Sequence, residues 1–200
     1  MKCYLIPLLF PVSLWGCYGP SGAEVPGKQP ADLPDCEWCG AMDAPAEPDW
    51  QARMAGPEEP GEPLVLSGTV LQPDGRTPAA GILVYAYHTN AEGIYPRRGD
   101  ETGNGRRHGY LRAWVRTDEQ GRYRFRTVRP APYPSRNEPA HVHMTLTGPD
   151  FSEYWIPSTL FAGDPLISEP DRSGKSRHII RLEKDAAGVW QGRRNVVLKE

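Results

Sequence analysis

Residues 118–147 read DEQGRYRFRTVRPAPYPSRNEPAHVHMTLT, and this stretch decides the fold. The opening DEQG carries turn chemistry. Residues 122–128 then alternate basic and apolar side chains, the period of a strand with one wet face and one buried face. Pro130, Pro132 and Pro134 interrupt the pattern. A second strand is predicted over 140–147, where His141 and His143 stand at i and i+2 and so project from one face. Two neighbouring imidazoles form a two-point metal platform. On that spacing alone, an incidental pair on a half-exposed strand is the stronger reading. Tyr133 changes the balance: prolines on both sides fix its backbone and remove local donors, so the phenol is aimed. Taken singly, it would read as a core or corner tyrosine.

Outward from this centre the same grammar continues. Residues 64–71 read as a strand, and 72–78 as a turn rich in Pro, Asp and Gly. Residues 81–87 are apolar on both faces, which predicts a central strand. The stretch 89–109 is long and polar, as functional loops are. Further strands are predicted over 110–117, 176–182 and 189–198. Short strands at regular spacing indicate an all-β sandwich. The 200 residues suit one domain with a sizeable core, and 21 Gly with 22 Pro favour turns over long helices. A net charge of −2 argues against a nucleic-acid partner.

The N-terminus reads as a targeting segment. Lys2 precedes a mostly apolar run over 4–15 that is too short to span a bilayer as a helix. Leu14-Trp15-Gly16-Cys17 resembles a bacterial lipobox, with Cys17 as the lipidated residue. An ordinary signal peptide cut nearby is the alternative, and the Gly/Pro/Ser-containing tether after Cys17 favours the lipoprotein. The expected organisation is a signal segment over 1–17, a tether and irregular extension over 18–62, and the β-sandwich over 63–200. Membrane contact is expected only through the anchor, and the location is periplasm or cell surface. Cys36 and Cys39 remain as a CxxC pair. A disulfide suits an exported chain, and a redox dithiol or half of a metal site is the sharper alternative. The disulfide, or a thiol pair without a catalytic task, is preferred.

Several ordered blocks resemble the intradiol ring-cleavage dioxygenases, the family of protocatechuate 3,4-dioxygenase and catechol 1,2-dioxygenase. Residues 118–134 and the PAHVH of 139–143 carry the likeness. LSGTV at 66–70, AEGIY at 91–95 and FAGDPLI at 161–167 extend it. The resemblance implies a β-sandwich with one ferric ion held by Tyr95, Tyr133, His141 and His143. Phenolate is a hard anionic donor suited to Fe(III), and imidazole is an acceptable partner. It also implies an enzyme that cleaves an aromatic ortho-diol with O2 to a muconate-type diacid. Tyr95 and Tyr133 take the catalytic roles. The tyrosine that gives way to substrate is Tyr95 by its loop position, with Tyr133 as the alternative. Family enzymes often form oligomers, and a lipid-anchored monomer is equally compatible with the sequence.

The resemblance departs from the family pattern around the ligands. Glu138 stands where the family has an arginine beside the substrate ring, and Arg136 lies two residues earlier. Ser158 aligns with a family glutamine, and Ser135 with a tryptophan. Arg136, Glu138 and Ser158 are therefore the candidate substrate-binding positions. A changed substrate or a weakened activity is the natural expectation. The alternative function is a secreted β-sandwich binding module that keeps the metal without ring cleavage. The arginines over 97–112 fit a cationic rim, but a solvated loop balanced by Asp100 and Glu101 is preferred. His88 and His178 read as ordinary strand or surface residues, and Trp155 and Trp190 as core.

Overall fold

The computed structural model describes residues 36–169 and 176–199. The signal segment, the lipobox and Cys17 fall outside these residues. Two sheets share one apolar core. The first orders β1 (Gln51–Arg53), β5 (Arg122–Val128), β2 (Pro63–Leu71), β10 (Trp190–Arg193) and β9 (Leu182–Lys184), and β11 (Val196–Val197) pairs with the far end of β2. The second orders β4 (Arg112–Arg116), β3 (Leu83–His88), β6 (His141–Gly148), β7 (Phe151–Phe161) and β8 (Ile179–Ile180). A helix of one turn, α1 (Gly105–His108), interrupts the long loop after β3.

Alternation assigns the faces. Tyr123 and Phe125 of β5 join Leu64, Leu66 and Val70 of β2 in the core, opposite Val84 and Ala86 of β3 and Val142, Met144 and Leu146 of β6. The intervening arginines of β5 point away from that core, as the sequence pattern requires. On the second sheet the reverse faces are also buried. Tyr85 and Tyr87 of β3 register against Thr145 and His143 of β6, and all four are covered. Residues 36–43 and the loop after β3 supply that cover.

Residues before position 63 also join the sheet and the core. Met54 and Ala52 pack on the core, and Gln51–Arg53 pairs in parallel with Arg124–Arg126. The expected closing pair over 176–182 and 189–198 divides into four short strands, of which β9 and β10 are antiparallel. Strand β7 lies in a stretch for which no strand is predicted. Pro157 breaks its pattern, and the register with β6 shifts beside it, between Val142 and Met144. Proline is tolerated at such an irregularity because the ladder bond it cannot donate is already missing. The free Pro157 carbonyl accepts from Arg194 Nη2 at 2.7 Å.

Candidate metal centre

His141 and His143 reach the outer face of β6, as their i, i+2 spacing requires. Ala140 N donates to Asp164 Oδ2 at 2.9 Å and fixes the start of the strand. Tyr95 and Tyr133 come from two separate loops, and those loops are stitched together. Thr89 Oγ1 donates to Ala131 O at 2.7 Å, and Ala131 N donates to Asn90 O at 3.0 Å. Asn90 Oδ1 also accepts from the amides of Glu92 and Ile94, which curls the chain back toward Tyr95. Gly93 sits at φ +80° against the Pro132 carbonyl, where any Cβ would collide. Only glycine permits both that backbone and that approach.

The four predicted side chains converge. Tyr95 Oη lies 2.5 Å from Tyr133 Oη, Tyr133 Oη lies 3.4 Å from His143 Nε2, and His143 Nε2 lies 2.9 Å from His141 Nε2. The far ring nitrogens orient the imidazoles. His141 Nδ1 stands 2.7 Å from Pro139 O, which only accepts, so Nδ1 carries the proton and Nε2 turns its lone pair inward. His143 Nδ1 meets Ser158 Oγ at 3.1 Å; with Oγ as acceptor, His143 does the same.

This donor set fits a metal ion. Two imidazole lone pairs facing each other repel, and a cation between them removes the repulsion. With metal–nitrogen bonds of about 2.1 Å, ligands at right angles stand about 3.0 Å apart. Among the described residues no group of three or more His, Cys, Asp and Glu is placed to hold a metal. A metal here would therefore need the phenols, and hard phenolate donors favour a trivalent ion.

Burial shapes the electrostatics. It pushes the Tyr95 phenol well above its ordinary range, and the hydrogen bond with Tyr133 adds to the rise. Burial also raises Tyr133, although the bond to Tyr95 acts in the other direction. His143 is held down to about 3, chiefly by burial and then by the neighbouring His141, so it is neutral and ready to coordinate.

The candidate substrate-binding positions separate. Glu138 and Ser158 line a cleft of about 360 Å³ with His141, His143 and Trp155. Ser158 reaches His143 itself, so it orients that imidazole. Arg136 does not line this cleft: it pairs with Glu138 at 3.9 Å and lies over the Tyr133 ring at 5.3 Å.

Other residues enter from outside the sequence expectation. Trp155 is 48% exposed and stands 6.4 Å from the His143 ring, so it is not core. An exposed position on the sheet's outer face leaves it open to the cleft. Trp190 is half-buried against the core, under Arg129 and Lys184. His178 lines the cleft, and His88 is buried at the end of β3. His108 is the least expected. It leaves the arginine-rich loop to stack on Tyr87 at 3.7 Å and 8°, and Tyr87 stacks in turn on His143 at 4.6 Å. His108 Nδ1 bonds Tyr85 Oη at 2.7 Å, and Nε2 donates to Glu37 O at 2.9 Å. Of the loop arginines, Arg112 pairs with Asp43 and Arg98 caps the Tyr110 ring, while Glu101 accepts from the amides of Arg98 and Gly99. Cys36 and Cys39 are joined by a disulfide.

Comparison with known proteins shows the family. A family described as Dioxygenase matches residues 40–194. The chain is 32% identical over 158 residues to the protocatechuate 3,4-dioxygenase beta chain of Burkholderia cepacia, covering 75% of this chain and 67% of that one. It is 36% identical over 127 residues to catechol 1,2-dioxygenase 1 of Acinetobacter lwoffii, covering 56% of this chain and only 40% of the relative. Among solved structures, catechol 1,2-dioxygenase from Acinetobacter sp. ADP1 superposes with a TM-score of 0.61 at 23% identity, over 78% of this chain and 59% of that one. The dioxygenase domain of a carbohydrate-binding fusion protein from Streptomyces sp. SirexAA-E gives 0.58 at 22% identity, over 78% and 90%. At these identities the structures speak for the fold.

Proposed function

The chain belongs to the intradiol dioxygenase family, and from that premise we propose that it cleaves an aromatic ortho-diol between its hydroxylated carbons, using O2 and a ferric ion held by Tyr95, Tyr133, His141 and His143. The observation that carries this reading is the convergence of two phenol oxygens and two imidazole nitrogens, with successive separations of 2.5, 3.4 and 2.9 Å. When bound, Fe(III) supplies Lewis acidity that draws electron density from a chelated diol. Both oxygen atoms end in the product diacid, so no external reductant is required.

The residues divide the remaining work. His141 and His143 are held in orientation, one by Pro139 O and the other by Ser158. Tyr95 and Tyr133 would hold the ion as phenolates, and a phenolate oxygen of this pair would accept a proton from the diol. Tyr95 and Tyr133 are both half-buried. Loop position favours Tyr95 Oη as the proton acceptor, with Tyr133 Oη as the alternative. Glu138 at the cleft mouth disfavours substrates with a carboxylate on the ring.

Export to an oxidising compartment, with an anchor at Cys17, is part of the same proposal. The Cys36–Cys39 disulfide is the kind of bond such a compartment preserves.

The test is metal content and a visible spectrum on protein purified without a chelating tag, followed by oxygen uptake with catechol, protocatechuate and hydroxyquinol. Tyr133→Phe should bleach the phenolate-to-iron band, and His143→Ala should lose iron. A spectrum unchanged in both variants would remove the site assignment.

A further inference from the structure

Two of the large apolar side chains left exposed, Trp38 and Trp155, both lie near one imidazole. Their ring centroids lie 6.3 and 6.4 Å from that of His143, and each side chain is 48% exposed. Trp155 is fixed by its strand. Trp38 arrives from the other end of the domain, inside the Cys36–Cys39 loop, for which the sequence suggests no catalytic task.

That loop is anchored at almost every peptide. The disulfide closes it, and Cys39 N donates to Cys36 O at 3.2 Å. Asn104 Nδ2 donates to the carbonyls of both cysteines, and His108 Nε2 donates to Glu37 O. Gly40 O accepts from Trp114 Nε1 at 2.6 Å, while the amides of Gly40 and Ala41 donate to the buried Glu153 carboxylate. Gly40 also lies flat against the Tyr85 ring, where no side chain would fit. The fold therefore fixes the backbone on both sides of Trp38 and leaves its indole exposed, 6.3 Å from the His143 ring. An exposed indole is unfavourably hydrated, and an aromatic ring laid against it removes that surface from water.

Resting on the ring-cleavage reading above, we infer that Trp38 is a positioning residue for the substrate. With Trp155 it forms the aromatic walls that hold the ring of an ortho-diol while the diol oxygens reach the Tyr95–Tyr133–His141–His143 cluster. The Cys36–Cys39 disulfide keeps this wall in place.

The experiment is an anaerobic titration of the iron-loaded full chain with catechol, followed by the change in the visible band, with kcat and KM then measured in air. Trp38→Ala should bind catechol about ten-fold more weakly, with KM rising and kcat little changed. Its iron content and its spectrum before catechol is added should match those of the wild type. Trp38→Phe should recover most of the affinity, and the double variant Cys36→Ser/Cys39→Ser should show the same weakening as Trp38→Ala. Wild-type affinity in Trp38→Ala would overturn the inference, and so would loss of iron, which would mark Trp38 as structural. An iron-loaded wild type that binds no catechol would instead sink the ring-cleavage reading, and the wall with it.

Discussion

Glu153 offers the sharpest stability test. Its side chain is buried, with 5% of the residue exposed, and it accepts from Gly40 N at 2.8 Å, Ala41 N at 3.0 Å and Thr145 Oγ1 at 2.5 Å. Three donors converge on one group, so only a pure acceptor satisfies them all. Hydrogen bonds to a charged group contribute about 1.5–3 kcal/mol each. Complete loss of all three would thus cost about 5–9 kcal/mol, a large share of the stability of an ordinary domain. In Glu153→Ala, however, residues 36–43 can lift and rehydrate the two amides, leaving Thr145 as the stranded group. The expected loss of global stability is therefore about 2–4 kcal/mol, a fall in Tm of roughly 5–15 °C for a domain of this size. Glu153→Gln keeps the shape but turns an amide N–H toward one of the donors, so it should recover only part of the loss. Urea unfolding followed by circular dichroism gives the global term. Tryptophan fluorescence reports release of the Trp38 loop at lower urea. If both variants unfolded within about 0.5 kcal/mol of wild type, the carboxylate would not be the anchor of the N-terminal segment.

Ser158→Ala removes the partner of His143 Nδ1, and loss of such an orienting bond typically weakens metal binding by about 10–100-fold. Competition with an iron chelator measures this; Ser158→Thr should stay near wild type, and an unchanged Ser158→Ala would show that Ser158 does not orient the ligand. Acid sensitivity should trace in part to His88, which burial holds down to about 4 while Nδ1 donates to Thr89 O and Nε2 meets Thr127 Oγ1. Its folded value lies below the unfolded one, so the unfolded chain takes up the proton first. The stability is complete above the unfolded value near 6.5 and is lost as pH falls toward 4, by about 3 kcal/mol. The drop in unfolding free energy between pH 7 and 4.5 should shrink by about 2.4 kcal/mol in His88→Gln, and an equal drop in both proteins would clear His88.

The β grammar was legible where local pattern decides structure. Strand β5 occupies the residues at which Arg alternates with Tyr, Phe and Thr, and β3 is buried on both faces as its unbroken apolar run requires. Strand β7 was hidden because Pro157 breaks the alternation, and the bulge that excuses the proline exists only opposite β6. The ligand histidines were visible through period-two spacing. Their joining with Tyr95 and Tyr133 rested on family resemblance, because no local period connects two loops. The cover over the site was not legible at all. Asn104 to Cys39, Trp114 to Gly40 and Glu153 to Gly40 are contacts across 65, 74 and 113 positions. The available signals were a tryptophan inside a CxxC pair and one histidine within a run of arginines, and neither has a periodicity that reports its partner.

The same contacts explain how an acidic residue can stand at position 138 without disturbing the donor cluster. His143 is held by Ser158 on one side and by Tyr87 on the other. Tyr87 is backed by His108, and His108 by Glu37 O of the disulfide loop. None of these supports passes through position 138. Glu138 instead faces solvent, and Arg136 is its partner at 3.9 Å, with half or more of each side chain exposed. An ion pair so exposed contributes about 1 kcal/mol or less. Its effect on the metal donors is correspondingly mild: Glu138 raises the Tyr133 phenol and Arg136 lowers it, both behind burial. A sign reversal there acts on what enters the cleft rather than on what the cleft holds. Glu138→Arg should therefore leave iron binding unchanged while shifting preference toward ring-carboxylated diols. Oxygen uptake with protocatechuate against catechol would show the shift, and equal selectivity in both proteins would place substrate choice elsewhere, on Trp38 and Trp155.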